Sequence, residues 1–259
     1  MRIVLAGAMG RMGEAIRKSA ADSAIPIPVG IEHSGHEYVG KEVHTLDMPH
    51  MYVFSSEKID EALSQSDVLI DFTSIEATLK NIEACVKANV GIVIGTTGFS
   101  EAQKQVIVES SKKIPVVFSP NMSVGVNVLF KLVEEAVKKM PGYDIEIVEL
   151  HHNKKKDSPS GTAAKLAEVA AQARGGTHFL YGREGIIGER DKNEIGVMAV
   201  RGGDIVGEHT VYLVGNGERL ELTHMAQSRD NFANGAVRAA VWLEGKPAGL
   251  YTMKDVLGL

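Results

Sequence analysis

Three observations in the sequence predict an α/β protein in which a doubly wound parallel sheet is joined to a second, smaller α+β domain. The chain opens as a strand, a glycine turn and a helix. From Asp67 onward, strand-like and helix-like segments alternate at a spacing that implies parallel βαβ units. After Asn121 that rhythm stops, and a long amphipathic helix, a strand with a cationic loop and three alternating runs take over.

The opening stretch MRIVLAGAMGRMGEAIRKSA reads as a buried strand over residues 2–6, a turn, and a helix from about Arg11. Gly7, Gly10 and Gly13 are spaced GxxGxxG, a variant of the dinucleotide fingerprint. Glycines there permit a tight turn, backbone approach to a pyrophosphate and close packing of helix on strand. Glycine at a strand-to-helix turn is often only geometry; its place directly after the first strand makes the sheet Rossmann-like. A second strand over residues 27–31 ends in Glu32, about 20 residues after the glycines, where a carboxylate accepts hydrogen bonds from an adenosine ribose. Residues 33–55 read as loops and short strands punctuated by Gly35, Gly40 and Pro49. His36, His44 and His50 read as surface residues rather than metal ligands, because no Cys or carboxylate pattern accompanies them.

DVLIDFT is then a strand, SIEATLKNIEACVKAN a helix, GIVIGTTG a strand with a glycine-rich end, SEAQKQVIVESSKK a helix, and IPVVFSPNMSVG a strand ending in polar residues. In doubly wound sheets, ligands bind outside the carboxyl ends of the strands. The ends on offer are Gly7, Ala8, Met9, Gly10, Arg11 and Met12, then Glu32, then Phe72 and Thr73, then Gly95, Thr96 and Thr97, and last Ser119, Pro120, Asn121 and Met122. Most are small or hydrogen-bonding, so together they form a coherent cofactor rim.

VNVLFKLVEEAVKKM is an amphipathic helix stopped by Pro141-Gly142. In the following DIEIVELHHNKKKDSPSGTAAKLAEVAAQA, Ile145, Ile147 and Leu150 alternate with acidic residues as in a half-buried strand, and the part from Thr162 reads as a helix. The loop between holds His151, His152, Lys154, Lys155, Lys156, Asp157 and the turn Ser158-Pro159-Ser160-Gly161. Backbone N–H groups in the first turn of a helix lack intrahelical partners and carry the positive end of the macrodipole. Gly161 lets a ligand approach them, and Ser160 and Thr162 can cap the helix or donate to that ligand. A lysine run alone would be a solvated face. With two His beside it and Ser-Gly-Thr after it, the segment favours a carboxylate or phosphate site, with His151 and Lys155 as candidate acids and His152, Lys154, Lys156, Ser160, Gly161 and Thr162 as anion contacts. Adjacent His on a strand point to opposite faces, which argues against a shared metal ion.

A glycine-dotted region over residues 175–193 leads to IGVMAVR, IVGEHTVYLVG and ERLELTHMA, joined by Gly203 and by Gly215-Asn216-Gly217. These runs read as an antiparallel meander. FANGAVRAAVWLEG is an apolar helix, in which Trp242 reads as a packing residue, and LYTMKDVLGL is a short final segment.

A chain of 259 residues can bury two ordinary cores, and 44% hydrophobic with 24% charged residues is a globular composition. The net charge of -5 leaves no global basic excess, which argues against a non-specific nucleic-acid binder. No uncharged apolar stretch approaches the roughly 18 residues of a membrane span. The one cysteine, Cys85, excludes an internal disulfide framework and reads as a small buried residue of a helix. With no signal-peptide pattern at the start, the expectation is a cytoplasmic protein without a membrane or nucleic-acid partner.

The run ELHHNKKKDSPSGTA closely resembles the signature of the 4-hydroxy-tetrahydrodipicolinate reductase (dihydrodipicolinate reductase) family of bacterial lysine and diaminopimelate synthesis, with Ser158 where the family usually has Ala. The likeness extends over the glycine turn, GTTG, NMSVGVN, the REG and GERLE regions and FANGAVR. The resemblance implies hydride transfer from NADH or NADPH to 4-hydroxy-tetrahydrodipicolinate with loss of water, and no metal. It implies that His151 and Lys155 are the catalytic pair, that His152, Gly161 and Thr162 hold the substrate, and that the nucleotide lies on the rim already named. It also implies that the tail returns to complete the nucleotide domain. The domains expected are therefore 1–122 plus 231–259 for the dinucleotide, and 123–230 for the substrate and for assembly into a homotetramer. Relatives commonly place Arg after the acidic residue matched by Glu32; His33 in its place predicts use of both cofactors with NADH preferred. Another Rossmann nicotinamide enzyme, such as a sugar or semialdehyde dehydrogenase, would explain the rim but not the His-Lys loop, and a redox-sensing binding module would have an inert loop.

Overall fold

The structure is a computed structural model that describes residues 1–44, 50–64 and 66–259; Pro49, one of the loop markers, lies outside the described residues. In chain order the elements are β1 (Ile3–Ala6), α1 (Arg11–Asp22), β2 (Val29–Glu32), β3 (Glu42–Val43), β4 (Met51–Ser55), α2 (Ile59–Leu63), β5 (Val68–Asp71), α3 (Ile75–Ala88), β6 (Gly91–Ile94), α4 (Glu101–Ser111) and β7 (Pro115–Phe118). Then come α5 (Val124–Lys139), β8 (Asp144–His151), α6 (Gly161–Arg174), β9 (His178–Leu180), β10 (Glu194–Arg201), β11 (Gly207–Val214) and β12 (Arg219–Ala226). The chain ends in α7 (Asp230–Leu243), β13 (Gly249–Tyr251) and α8 (Met253–Leu257). They divide into two compact units, Met1–Val124 with Arg229–Leu259, and Gly125–Ser228.

The first unit is built on a sheet of order β13-β7-β6-β5-β1-β2-β4-β3, in which every pair is parallel except the β3–β4 hairpin at the edge. Successive residues of a strand face opposite sides. Ile3 and Leu5 of β1 therefore pack with Ile16 and Ala20 of α1 and with Ala236 and Ala240 of α7, while Val4 and Ala6 pack with Ile82 and Cys85 of α3 and Ile107 of α4. Both faces are buried, which is why these strands read as continuous apolar runs rather than alternating ones. Burial pushes the Cys85 thiol well above its ordinary range, so it packs rather than reacts. Trp242 meets Tyr251 edge to face, with ring centroids 5.1 Å apart.

The glycine turn is shaped by two constraints. Gly7 has φ +68° and donates its N–H to Ile31 O at 2.9 Å, a backbone conformation that costs a residue with a Cβ. At Gly13 a Cβ would fall 2.3 Å from Gly7 O, so the helix can pack this closely on the turn only without a side chain there.

The second unit has the sheet order β12-β11-β8-β10-β9, with α5 and α6 packing Val133, Leu166 and Ala170 onto Ile145, Ile147, Ile195 and Val211. The three last strands are not a meander. β10 pairs β8 in parallel, because α6 forms a crossover between them, and β11 must then take the other side of β8, antiparallel, before pairing β12. The glycine-dotted stretch also contains β9, a short parallel neighbour of β10 that its composition hides. Arg183 and Arg190, either side of Ile186 and Ile187, tie this stretch to Glu146: Arg183 donates two bonds at 2.9 and 2.7 Å, and Arg190 Nε one at 3.0 Å. Among the described residues no helix is long and apolar enough to cross a membrane.

Candidate active site

In β8 the buried positions are 145, 147, 149 and 151. Ile145 and Ile147 behave as the alternation predicts, but Leu150 lies on the other side, and the next two places on the helix-covered face go to Glu149 and His151. A fully buried carboxylate is tolerable only when its charge is met, and Glu149, with 0% exposure, accepts four hydrogen bonds. Arg201 donates Nη1–H to Oε2 and Nη2–H to Oε1, each at 2.8 Å; the Ser160 backbone N–H donates to Oε1 at 2.9 Å; His151 Nδ1 lies 2.6 Å from Oε2. Arg201 also donates to Asp157 O at 2.8 Å, binding the loop to β10. Burial acts to raise the Glu149 pKa, but Arg201, His151 and Ser160 together hold the carboxyl below its ordinary range.

His151 is thereby fixed in orientation. An ionised carboxylate at Nδ1 selects the tautomer with the proton on Nδ1 and leaves Nε2 as the working nitrogen. The space beside Nε2 belongs to Gly207, where a Cβ would fall 2.9 Å away. Burial lowers the His151 pKa, Glu149 opposes that without overcoming it, and the charges of Lys155 and Arg201 lower it further. His209 completes the cluster: its ring stands edge to face with His151 at 5.2 Å, and its Nε2 shares a hydrogen bond of 3.0 Å with Ser160 Oγ. Burial first, then the nearby His151, pushes the His209 pKa down to about 4, so it is neutral at physiological pH.

Ser160 has all its polar groups engaged inside the protein. Its N–H serves Glu149, and its Oγ caps α6 through Ala163 N–H at 3.2 Å and meets His209. At 2% exposure it offers nothing outward, in contrast to the sequence expectation of a substrate contact, whereas Gly161 is exposed and Thr162 half-exposed on the first turn of α6. Lys155 Nζ pairs with Asp157 Oδ1 at 2.9 Å, and Lys154 and Lys156 are exposed. His152 has a buried Nδ1 without a hydrogen-bond partner. The structure therefore brings a bonded imidazole, an ammonium group and a helix N-terminus to one end of β8.

The first unit carries the expected cofactor residues at the carboxyl ends of its strands. Gly10 begins α1 with no side-chain cap, which leaves the positive end of that helix to a ligand, and Arg11 is exposed beside it. Glu32 reaches the same turn, accepting the Met9 N–H at 2.7 Å, and His33 is exposed, its ring 5.3 Å from that of His36. Phe72, Thr73, Gly95, Thr96 and Thr97 line a cavity of about 420 Å³; Gly95 must lack a side chain, since a Cβ would fall 2.1 Å from the Phe72 ring. Ala8, Thr96, Ser119 and Met122 are buried, whereas Pro120 is exposed and Asn121 half-exposed. Asp71, missed in the sequence, organises this rim. Burial raises its pKa, and it accepts Thr73 N–H at 2.9 Å, Thr73 Oγ1–H at 2.6 Å and Asn81 Nδ2–H at 2.9 Å. An uncapped helix start, a carboxylate beside it and the exposed positions Gly10, Arg11, Thr97 and Pro120 fit a dinucleotide.

The sequence matches the family described as dihydrodipicolinate reductase, N-terminus, over residues 1–122 and dihydrodipicolinate reductase, C-terminus, over residues 125–257. It is 49% identical over 263 residues to the 4-hydroxy-tetrahydrodipicolinate reductase of Geobacter sulfurreducens, covering 100% of this chain and 99% of that protein. It is 50% identical over 265 residues to the enzyme of the same name from Syntrophotalea carbinolica, with 100% and 99% covered. Among solved structures, the fold matches dipicolinate-bound dihydrodipicolinate reductase from Paenisporosarcina sp. TG-14 with a TM-score of 0.79 at 24% identity, covering 98% of each chain. An amine dehydrogenase from Mycobacterium smegmatis matches at a TM-score of 0.62 and 12% identity, over 98% and 95%.

Proposed function

The chain belongs to the dihydrodipicolinate reductase family, and on that premise we propose that the Glu149–His151 pair, Lys155 and the first turn of α6 are the substrate site of its reductase activity. The protein is an NAD(P)H-dependent oxidoreductase that reduces 4-hydroxy-tetrahydrodipicolinate to tetrahydrodipicolinate in lysine and diaminopimelate biosynthesis. The observation that carries the site is the fourfold-bonded Glu149, because a buried charge of that kind is retained where it fixes something, and here it fixes both His151 and the turn at Ser160.

The reduced nicotinamide supplies hydride when bound. Gly7, Ala8, Met9, Gly10, Arg11 and Met12 would hold the pyrophosphate, Glu32 the ribose hydroxyls, and the backbone of 95–97 and 119–122 the nicotinamide half. On the other side of the reaction, Gly161, Thr162 and His152 bind the carboxylates of the substrate. The charge of that dianion favours the imidazolium form of His151, offsetting the burial that lowers its pKa. His151 can then give a proton from Nε2 while Nδ1–H stays on Glu149, and Lys155 stabilises negative charge on the conjugated system as it forms. Ser160 acts through Glu149 and the helix start, as a positioning residue.

Two finer points belong to the same reading. Glu32 repels a 2′-phosphate, and His33 offers one directed donor where a guanidinium would offer two, so NADH is preferred over NADPH without excluding it. The face of the second sheet away from α5 and α6 leaves Val200 44% and Met225 60% exposed, which supports a homotetramer formed through this sheet, measurable by light scattering on the eluting protein. The test of the function is a coupled assay that generates the substrate in place. Oxidation of reduced nicotinamide should depend on it, and equal oxidation without it, or with simple aldehydes, overturns the assignment.

A further inference from the structure

The first unit carries a side-chain cluster that the reductase reading does not use. In the β3–β4 hairpin at the sheet edge, Val43 lies opposite Met51 and Glu42 opposite Tyr52. One more step along that register sets His44 opposite His50, with Glu42 two residues before His44 and so on the same face. The sequence shows no carboxylate motif with these imidazoles; strand pairing supplies one. Glu42 Oε1 lies 3.0 Å from His50 Nδ1, and Oε2 lies 3.8 Å from His44 Nε2. The two rings stand edge to face with centroids 5.1 Å apart, and one ligand atom from each of the three residues falls within 4.8 Å of the other two. Ligand atoms on a tetrahedral ion with bonds of about 2.0–2.1 Å are about 3.3 Å apart, so small rotations of exposed side chains suffice to close the set.

We propose that Glu42, His44 and His50 form a three-ligand site for a first-row transition dication of the zinc class, with water completing the coordination. Two imidazoles and one carboxylate suit zinc, nickel or copper, whereas calcium and magnesium take oxygen ligands. A charged sheet edge also guards against edge-to-edge pairing, but that needs only charge and does not require two imidazoles to converge on one carboxylate. The site is separate from the nucleotide rim. Glu32 pairs with Ser55 and Glu42 with Tyr52, three residues or about 10 Å earlier along β4. The ion therefore staples the edge hairpin and leaves turnover unchanged.

The test uses the full chain, stripped with a chelator and titrated with zinc chloride against a chromophoric competitor. The expected result is one zinc equivalent per chain with micromolar affinity, lost in the double variant His44→Asn/His50→Asn and weakened roughly tenfold or more in Glu42→Gln. The equivalent persists in His178→Asn, which removes an exposed imidazole of the other unit. Turnover of the double variant stays at the wild-type value, which also shows that it is folded. Absence of a micromolar equivalent, or one that survives the double substitution, overturns the proposal. So does its loss in His178→Asn.

Discussion

Glu149→Gln keeps the shape of the side chain and removes its charge, so it separates the electrostatic role of this residue from its volume. Oε2 accepts from His151 and Arg201 Nη1, and Oε1 from Ser160 N–H and Arg201 Nη2. Whichever oxygen becomes the amide NH₂, two donors then face two donors. Removing one partner of a buried ion pair costs about 3–5 kcal/mol, but Arg201 is 21% exposed and water can take part of its charge, so about 2–3 kcal/mol of stability should be lost. For the chemistry, loss of a charge-assisted bond worth up to about 3 kcal/mol to the acid corresponds to roughly 10²-fold in kcat. The sign of the pH effect also follows. Glu149 opposes the burial that lowers the His151 pKa, so without it the alkaline limb of the kcat profile moves to lower pH. The assay is the coupled reduction with kcat and KM resolved from pH 5.5 to 9, on protein shown by its melting curve to be folded at the assay temperature. A folded variant whose kcat stays within about twofold of wild type, with an unmoved profile, would show that Glu149 only braces the fold.

Three further outcomes are expected. Because His209 has a folded pKa of about 4 against an ordinary value of about 6.5, the unfolded chain binds a proton that the folded one refuses, and stability falls as pH drops through that window, by about 2 kcal/mol at pH 5. Urea midpoints at pH 7.5 and 5 should show this fall, reduced in His209→Gln; an equal fall in both would refute it. Gly207→Ala places a Cβ 2.9 Å from His151 Nε2 and should lower kcat roughly tenfold or more by displacing the ring, with cofactor affinity unchanged; a kcat equal to wild type would show that the ring has room to yield. For cofactor choice, kcat/KM at pH 8 should favour NADH and shift toward NADPH in His33→Arg, and a strong wild-type preference for NADPH would remove Glu32 and His33 from the selection.

Much of the first unit was legible because its signals are local. Glycine spacing, apolar runs and the alternation of element types each reflect a constraint within about 20 residues, and the strand ends follow from them. The second unit was legible only in its elements. The path of β10 to the far side of β8 depends on where the α6 crossover lands, which no periodicity within β10, β11 or β12 records. The site divided in the same way. His151, Lys155 and the helix start stand in one contiguous motif, whereas Arg201 and His209 reach Glu149 and Ser160 from 52 and 49 residues away. A local clue did exist for Glu149. It sits two residues before His151 and two after Ile147, so period-two counting puts a carboxylate on the apolar face, an expensive placement that asks for a cation elsewhere in the chain.

Under the proposed function, the nucleotide rim of the first unit and the His-Lys loop of the second should therefore respond differently to substitution. On the proposed cofactor rim Ala8, Thr96, Ser119 and Met122 are buried, so volume there matters more than chemistry. Glycines are the exception, because Gly7, Gly13 and Gly95 are fixed by backbone geometry or by neighbours closer than 3.2 Å. In the second unit the order is reversed. One carboxylate holds the imidazole, the helix start and an arginine at once, so a change that conserves volume but not charge is the damaging one. Under the proposed function, a substitution in β10 or β11 that touches no substrate can then act on His151, from Arg201 through Glu149 and from His209 through Ser160 and the ring contact, so that neither residue need touch the substrate to matter.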